Sequence, residues 1–124
     1  MTDLLLINVN KSAGVRPTIY DATRYAWKLD PRRAETATYV LAEYHGTVIG
    51  VFVAEEWLPT TLENFPTLEN YPDLAPREAY EGRFGFRGRE APPDILVRYL
   101  GRRLDERQRG EQNPVRYLRE EEYI

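Results

Sequence analysis

Tyr39–Trp57, YVLAEYHGTVIGVFVAEEW, decides the fold, because here two apolar runs are separated by a two-residue turn. Tyr39–Tyr44 and Thr47–Val53 are rich in Val, Ile, Tyr, Phe and Thr, side chains that suit a pleated, half-buried surface. His45-Gly46 between them can supply the positive φ of a tight turn. The stretch predicts an antiparallel hairpin over residues 38–44 and 47–55. In a regular pleat Val48, Gly50, Phe52 and Ala54 share one face, and Ile49, Val51 and Val53 the other. Neither face is polar enough for water, so the strand is expected to be central, with Val48–Val53 shielded on both sides. A small barrel with a helix packed outside would provide that cover.

At 124 residues the chain is read as one domain, residues 1–124, with a core of its own. It has no cysteine, which excludes disulfides, thiolate catalysis and cysteine-ligated zinc. No charged n-region followed by an apolar h-region opens it, and no apolar run approaches the roughly 20 residues of a membrane span. The expectation is a cytoplasmic protein with no membrane contact; composition does not address its oligomeric state.

Net charge is −3, but the charges are segmented. Residues 1–33 carry six Lys/Arg against three acids, and residues 34–76 carry seven acids and no base. Residues 77–119 carry eleven Arg against seven acids, and Glu120–Glu122 add an acidic tail at 120–124. If the two positive segments meet in the fold, one surface is basic although the protein is acidic. Fifteen of the seventeen bases are Arg, whose planar fork suits phosphates and base edges, although Arg usage also follows genome composition.

Leu4–Val9 reads as a first buried strand, leaving through turn formers at Asn8–Gly14. Thr18–Lys28 reads as an amphipathic helix with Ile19, Tyr20, Thr23, Ala26 and Trp27 on its apolar side, stopped by Asp30-Pro31. Residues 58–76 hold four prolines and the tandem duplication TLENFP/TLENYP, at Thr61–Pro66 and Thr67–Pro72. That spacing forbids a useful helix and predicts a long loop, packed on the surface by Phe65 and Tyr71 and tolerant of losing one repeat. Arg83–Arg87 reads as a short strand, Pro92–Tyr99 as about two helical turns closed by Gly101, and Pro114–Leu118 as a last strand. Asp105–Gln112 is charged and expected to be exposed. The order is strand, helix, hairpin, long loop, strand, helix, strand: an α+β domain around a small, mostly antiparallel β-barrel with flanking helices.

Strand, helix, spacer, then Tyr44-His45-Gly46-Thr47-Val48-Ile49-Gly50-Val51-Phe52-Val53 resembles the core of the PUA-like superfamily, particularly its EVE, YTH and ASCH branches, over about residues 4–57. The resemblance implies a pseudo-barrel that binds RNA or DNA, often holding a modified or flipped base in an aromatic pocket. The chain departs from the EVE pattern at the helix, where Asp21-Ala22-Thr23-Arg24 stands in place of Gly-Val-Arg-Asn. As a whole, with ATRYAWK, GFRGREAP, YLGRRL and NPVRY, it is also similar to a group of small bacterial proteins.

A nucleic-acid-binding module would use a basic, aromatic-lined groove built from Asn8, Asn10, Lys11, Arg24, Trp27, Trp57, Arg83, Arg87 and Arg116. Trp27 and Trp57 are stacking candidates or core residues. Asn8 and Asn10 offer donor and acceptor together for base edges, or simply form a turn. Arg83, Arg87 and Arg89, with Arg98, Arg102 and Arg103, suit phosphates or a solvated face, and Arg116 projects from the strand that follows Asn113-Pro114. No catalytic residue, metal ligand set or cofactor is read: there is no P-loop, HExxH or nucleophile elbow, His45 is alone, and Glu55-Glu56 on a strand point to opposite faces. Arg83-Phe84-Gly85-Phe86 lacks the glycine that an RRM signature needs after its first basic residue. Two other classes stay open: a small hydrolase or transferase with a polar cavity, and a partner-binding protein using the 58–76 loop.

Overall fold

Leu4, Leu5, Leu6 and Ile7 are all closed off from solvent, which a strand achieves only when both faces of its sheet are covered. A computed structural model, describing residues 3–74, 76–104 and 114–119, places them in β1 (Asp3–Asn8). Asp105–Gln112, Asn113 and the acidic tail lie outside the described residues. β1 pairs in parallel with β2 (Tyr39–Tyr44) and antiparallel with β5 (Val115–Arg119). β3 (Thr47–Pro59) pairs antiparallel with both β2 and β4 (Phe84–Glu90). The spatial order is β4-β3-β2-β1-β5.

The domain is therefore α+β with a five-stranded mixed sheet, and among the described residues the sheet is open rather than closed into the expected barrel. Cover comes from layers instead. On one face Leu5, Ile7, Val40, Ala42, Phe52 and Phe86 pack under α1 (Ile19–Arg24) and α2 (Pro31–Ala34). On the other, Leu4, Leu6, Leu41, Val48 and Val51 pack with Tyr99 of α3 (Pro93–Tyr99) and with Leu104.

The hairpin forms as its sequence predicts, with His45 at φ 49° and Gly46 at φ 83° in the turn. Its second strand does not keep a regular pleat. Pairing jumps from Glu43 opposite Val48 to Ala42 opposite Gly50, so Ile49 is bulged. The bulge puts Val48 with Val51 and Val53 on one face and Ile49 with Phe52 on the other, which corrects the alternation expected for this strand. A second irregularity, between Ala54 and Glu56, turns Trp57 inward. There Gly88 lies so close that a Cβ would stand 1.9 Å from the Val53 carbonyl oxygen; no other residue fits.

Two departures from the sequence reading build the surface. The first helix starts where expected, the Thr18 hydroxyl accepting the Asp21 N–H at 3.0 Å, but ends at Arg24 rather than Lys28. Trp27 and Phe84 exchange two backbone hydrogen bonds of 2.9 Å, and this tertiary pairing outweighs the weak tendency of a short helix to continue. Asp30-Pro31 does more than stop a helix. Asp30 accepts the Arg32 N–H at 2.9 Å and caps α2.

The proline-rich segment is not a surface loop. After Pro59 ends β3 it makes three short 3-10 turns, at Pro66–Asn70, Pro72–Leu74 and Arg77–Ala79. Phe65, Leu68, Tyr71 and Leu74 close over Tyr25 and Ala26 as a satellite core. The two aromatics of the duplication both reach Tyr25, with ring centroids 5.2 Å (Phe65) and 6.2 Å (Tyr71) away. Arg16 lies 4.6 Å over the Tyr71 ring and forms a fork with Asp73 at 2.9 Å. That fork holds the Asp73 carboxyl below its usual range.

The duplicated leucines test this packing: Leu62 is 44% exposed and Leu68 0%. Leu68→Ala should lower stability in urea by about 2–5 kcal/mol, and Leu62→Ala by no more than about 0.5 kcal/mol. Equal losses would return the segment to a surface loop. Burial also raises the phenols of Tyr71, Tyr99 and Tyr117 above the ordinary tyrosine value. An unfolded chain then releases these protons first, so stability should be undiminished by them below about pH 10 and fall as pH rises from there. Thermal melts between neutral and strongly alkaline pH, with Tyr71→Phe reducing the slope, check the sign.

Candidate functional site

Where β1 ends, Asn8 folds the chain back on itself. Its backbone N–H donates to the Pro114 carbonyl at 2.8 Å, and its side-chain oxygen accepts the Asn10 N–H at 2.9 Å. Asn10 in turn accepts the His45 N–H at 2.7 Å through its own Oδ1, tying this turn to the hairpin. Val9 is buried beneath, and the Ser12 hydroxyl donates to the Ala22 carbonyl at 2.8 Å. These bonds make Asn8–Ser12 a fixed wall rather than a loose exit from the strand.

The facing wall comes from the unwound end of α1. Because the helix stops at Arg24, Trp27 joins the start of β4, where its indole N–H donates to the Thr23 carbonyl at 2.7 Å. Lys28 and Arg83 flank it. Between the walls lies a pocket of about 680 Å³, lined by Asn8, Asn10, Lys11 and Ser12 on one side, Trp27, Lys28 and Arg83 on the other, and Pro114 at the end. That volume is ordinary for a small-ligand site.

Lys11 and Lys28 are the only lysines in the chain, and both line this pocket. No carboxylate of the described residues lines it. Neither lysine has an ion-pair partner among the described residues, and Arg83 reaches only the Ala26 carbonyl, at 3.4 Å. In a protein of net charge −3, this is a local concentration of uncompensated positive charge beside an indole.

Of the nine residues that the sequence nominates, Asn8, Asn10, Lys11, Trp27 and Arg83 meet here, and Arg24, Trp57, Arg87 and Arg116 do not. Arg24 is caged 4.9 Å over Tyr20 and 4.8 Å over Tyr25, and pairs with Asp21 at 3.0 Å. Burial opposes its charge, but Tyr25 and Asp21 hold the guanidinium above its ordinary value. Trp57 is 7% exposed and packs on Phe86 at 5.0 Å, so it is core and no stacking platform. Arg87 binds the Asn64 carbonyl at 2.6 Å and lies near Glu56, which fastens the proline-rich segment to β4. Arg116 pairs at 3.0 Å with Glu43, itself 2% exposed, and thereby neutralises a buried carboxylate. Arg98 in the last turn of α3, and Arg102 and Arg103 after it, lie on the other face of the sheet.

Sequence reasoning missed Lys28, Ser12 and Pro114. The available signal for Lys28 is that a chain using arginine almost throughout keeps lysine at two positions.

His45 lies outside the pocket, its ring 4.2 Å from Tyr44, and no cluster of His, Asp and Glu able to hold a metal occurs among the described residues. Phe65 and Tyr71 are buried, so they present no apolar docking patch. No helix among the described residues is long and apolar enough to cross a membrane. Comparison with protein-family models, with curated proteins and with solved structures finds no match for the chain.

The two tryptophans give the pocket an optical signature, since Trp27 lines it and Trp57 is in the core. Iodide, drawn to the cations, should quench the emission of Trp57→Phe protein strongly and that of Trp27→Phe protein hardly at all. Similar Stern–Volmer slopes would mean that the pocket is closed or uncharged.

Proposed function

We propose that the chain is a PUA-like nucleic-acid-binding module that holds one nucleotide of a single-stranded or locally opened RNA or DNA in the pocket at the end of β1. The observation that carries this reading is the convergence of both lysines, Arg83, two asparagine carboxamides and an indole on one cavity that no carboxylate of the described residues lines. Phosphates supply the charge that the three cations lack. Trp27 offers a stacking surface worth about 1–3 kcal/mol per base, and the carboxamides offer hydrogen bonds to a base edge. The order strand, helix, hairpin, which carries the resemblance to PUA-like domains, supports the same reading, with the sheet open among the described residues. A pocket of this size takes a single unit, so a duplex must be opened or the strand already free.

Three uncompensated cations set the expected salt dependence. For a single strand, log K should fall with log salt with a slope of about −2, and Lys11→Ala/Lys28→Ala should remove about 1.4 of that slope. Fluorescence anisotropy of a labelled oligonucleotide over a salt series measures both. Trp27→Ala should weaken binding while leaving the slope nearly unchanged. Absence of binding to any RNA or DNA strand at low salt would overturn the reading.

A further inference from the structure

The hydrogen bonds that build the Asn8–Ser12 wall also decide which chemistry it leaves facing a ligand. A backbone N–H can only donate, so the carboxamide oxygen of Asn8 must face the Asn10 N–H, and that of Asn10 the His45 N–H. The orientation of both amides is thereby set, and each Nδ2 is turned away as a donor with no partner among the described residues. The Ser12 hydroxyl proton is committed to Ala22 and the Trp27 N–H to Thr23. Lys11, Lys28 and Arg83 carry donors and no acceptor. Apart from the Ser12 hydroxyl oxygen, the unengaged polar side-chain groups with which the described residues line the pocket are donors.

Resting on the nucleotide-pocket reading, we infer that the site selects keto bases, uracil, thymine and guanine, over the amino bases adenine and cytosine. On the edge that would face Asn8 and Asn10, a keto base presents only acceptors: O4 of uracil or thymine, O6 and N7 of guanine. Adenine and cytosine present an exocyclic amine there, and a donor set against donors is left without a partner when water is excluded. The cations are engaged by phosphate, which all strands share. Discrimination therefore falls to the two carboxamides.

The test compares matched strands of equal length and salt: oligouridine against oligocytidine, and oligoinosine against oligoadenosine. Each pair differs chiefly in a carbonyl or an amine on that edge. The keto member of each pair should bind about tenfold more tightly. Asn10→Asp keeps an oxygen for the His45 N–H and replaces the amide donor by an acceptor, so the ratio within each pair should collapse or invert although the added charge weakens all four strands. Asn8→Asp repeats the substitution at the other carboxamide, and thermal melts confirm that both variants are folded. Equal binding of the four strands, as a site for phosphate alone would give, or a preference for the amino members, overturns the inference and leaves the nucleotide pocket standing. A keto preference that survives both substitutions overturns the assignment to the carboxamides. Failure of all four strands to bind overturns the pocket reading itself.

Discussion

The parallel pairing of β1 with β2 is the constraint on which the rest of this structure depends. Two parallel strands cannot be joined by a tight turn; the chain must leave the end of the first and return to the start of the second. Residues 9–38 make that return, carrying α1 and α2 across one face of the sheet. The same crossover places Asn8–Ser12 at the carboxyl end of β1, where open sheets with parallel strands tend to have their clefts. Cover for the core and a wall for the pocket thus come from one piece of chain.

Local irregularities then aim the side chains. Without the bulge at Ile49, Val48 would face the wrong layer, and without the slip near Glu55, Trp57 would lie on the opposite face of the sheet. Each lies beside a tightly packed glycine. A Cβ at Gly50 would lie 2.8 Å from the Ile19 methyl, and Gly88 has no room for one at all. Trp57, which the sequence leaves open as stacking surface or core, is a core residue because the strand gains one position opposite Gly88.

Several arginines in this protein are structural. Arg16 and Arg24 lie over aromatic rings of the satellite core, Arg33 lies 4.0 Å over Tyr117, and Arg116 answers a buried glutamate. A guanidinium is planar and weakly hydrated, so it can lie on a ring and make a fork at once. An ammonium is compact and strongly hydrated, and the chain keeps its two lysines for the pocket.

The hairpin, the buried first strand, α3 and the last strand were legible in sequence, because each rests on local signals: apolar runs bounded by turns, a proline start, a glycine end. Five of the pocket residues were legible too, as polar and aromatic groups beside element ends. Distant partners decided the rest. The length of α1 was settled by hydrogen bonds between Trp27 and Phe84, 57 positions apart, and the fate of the duplication by Tyr25, which receives both its aromatics. Closure of the sheet was a matter of which faces the helices cover, and periodicity does not reveal that. The sequence by itself determined which segments must be buried, since hydrophobic pattern is a property of neighbours along the chain. Only the tertiary structure decided that Trp27 faces a pocket and Trp57 the core, because one strand slip or one helix ending early reverses a side chain, and both are governed by residues far away in sequence.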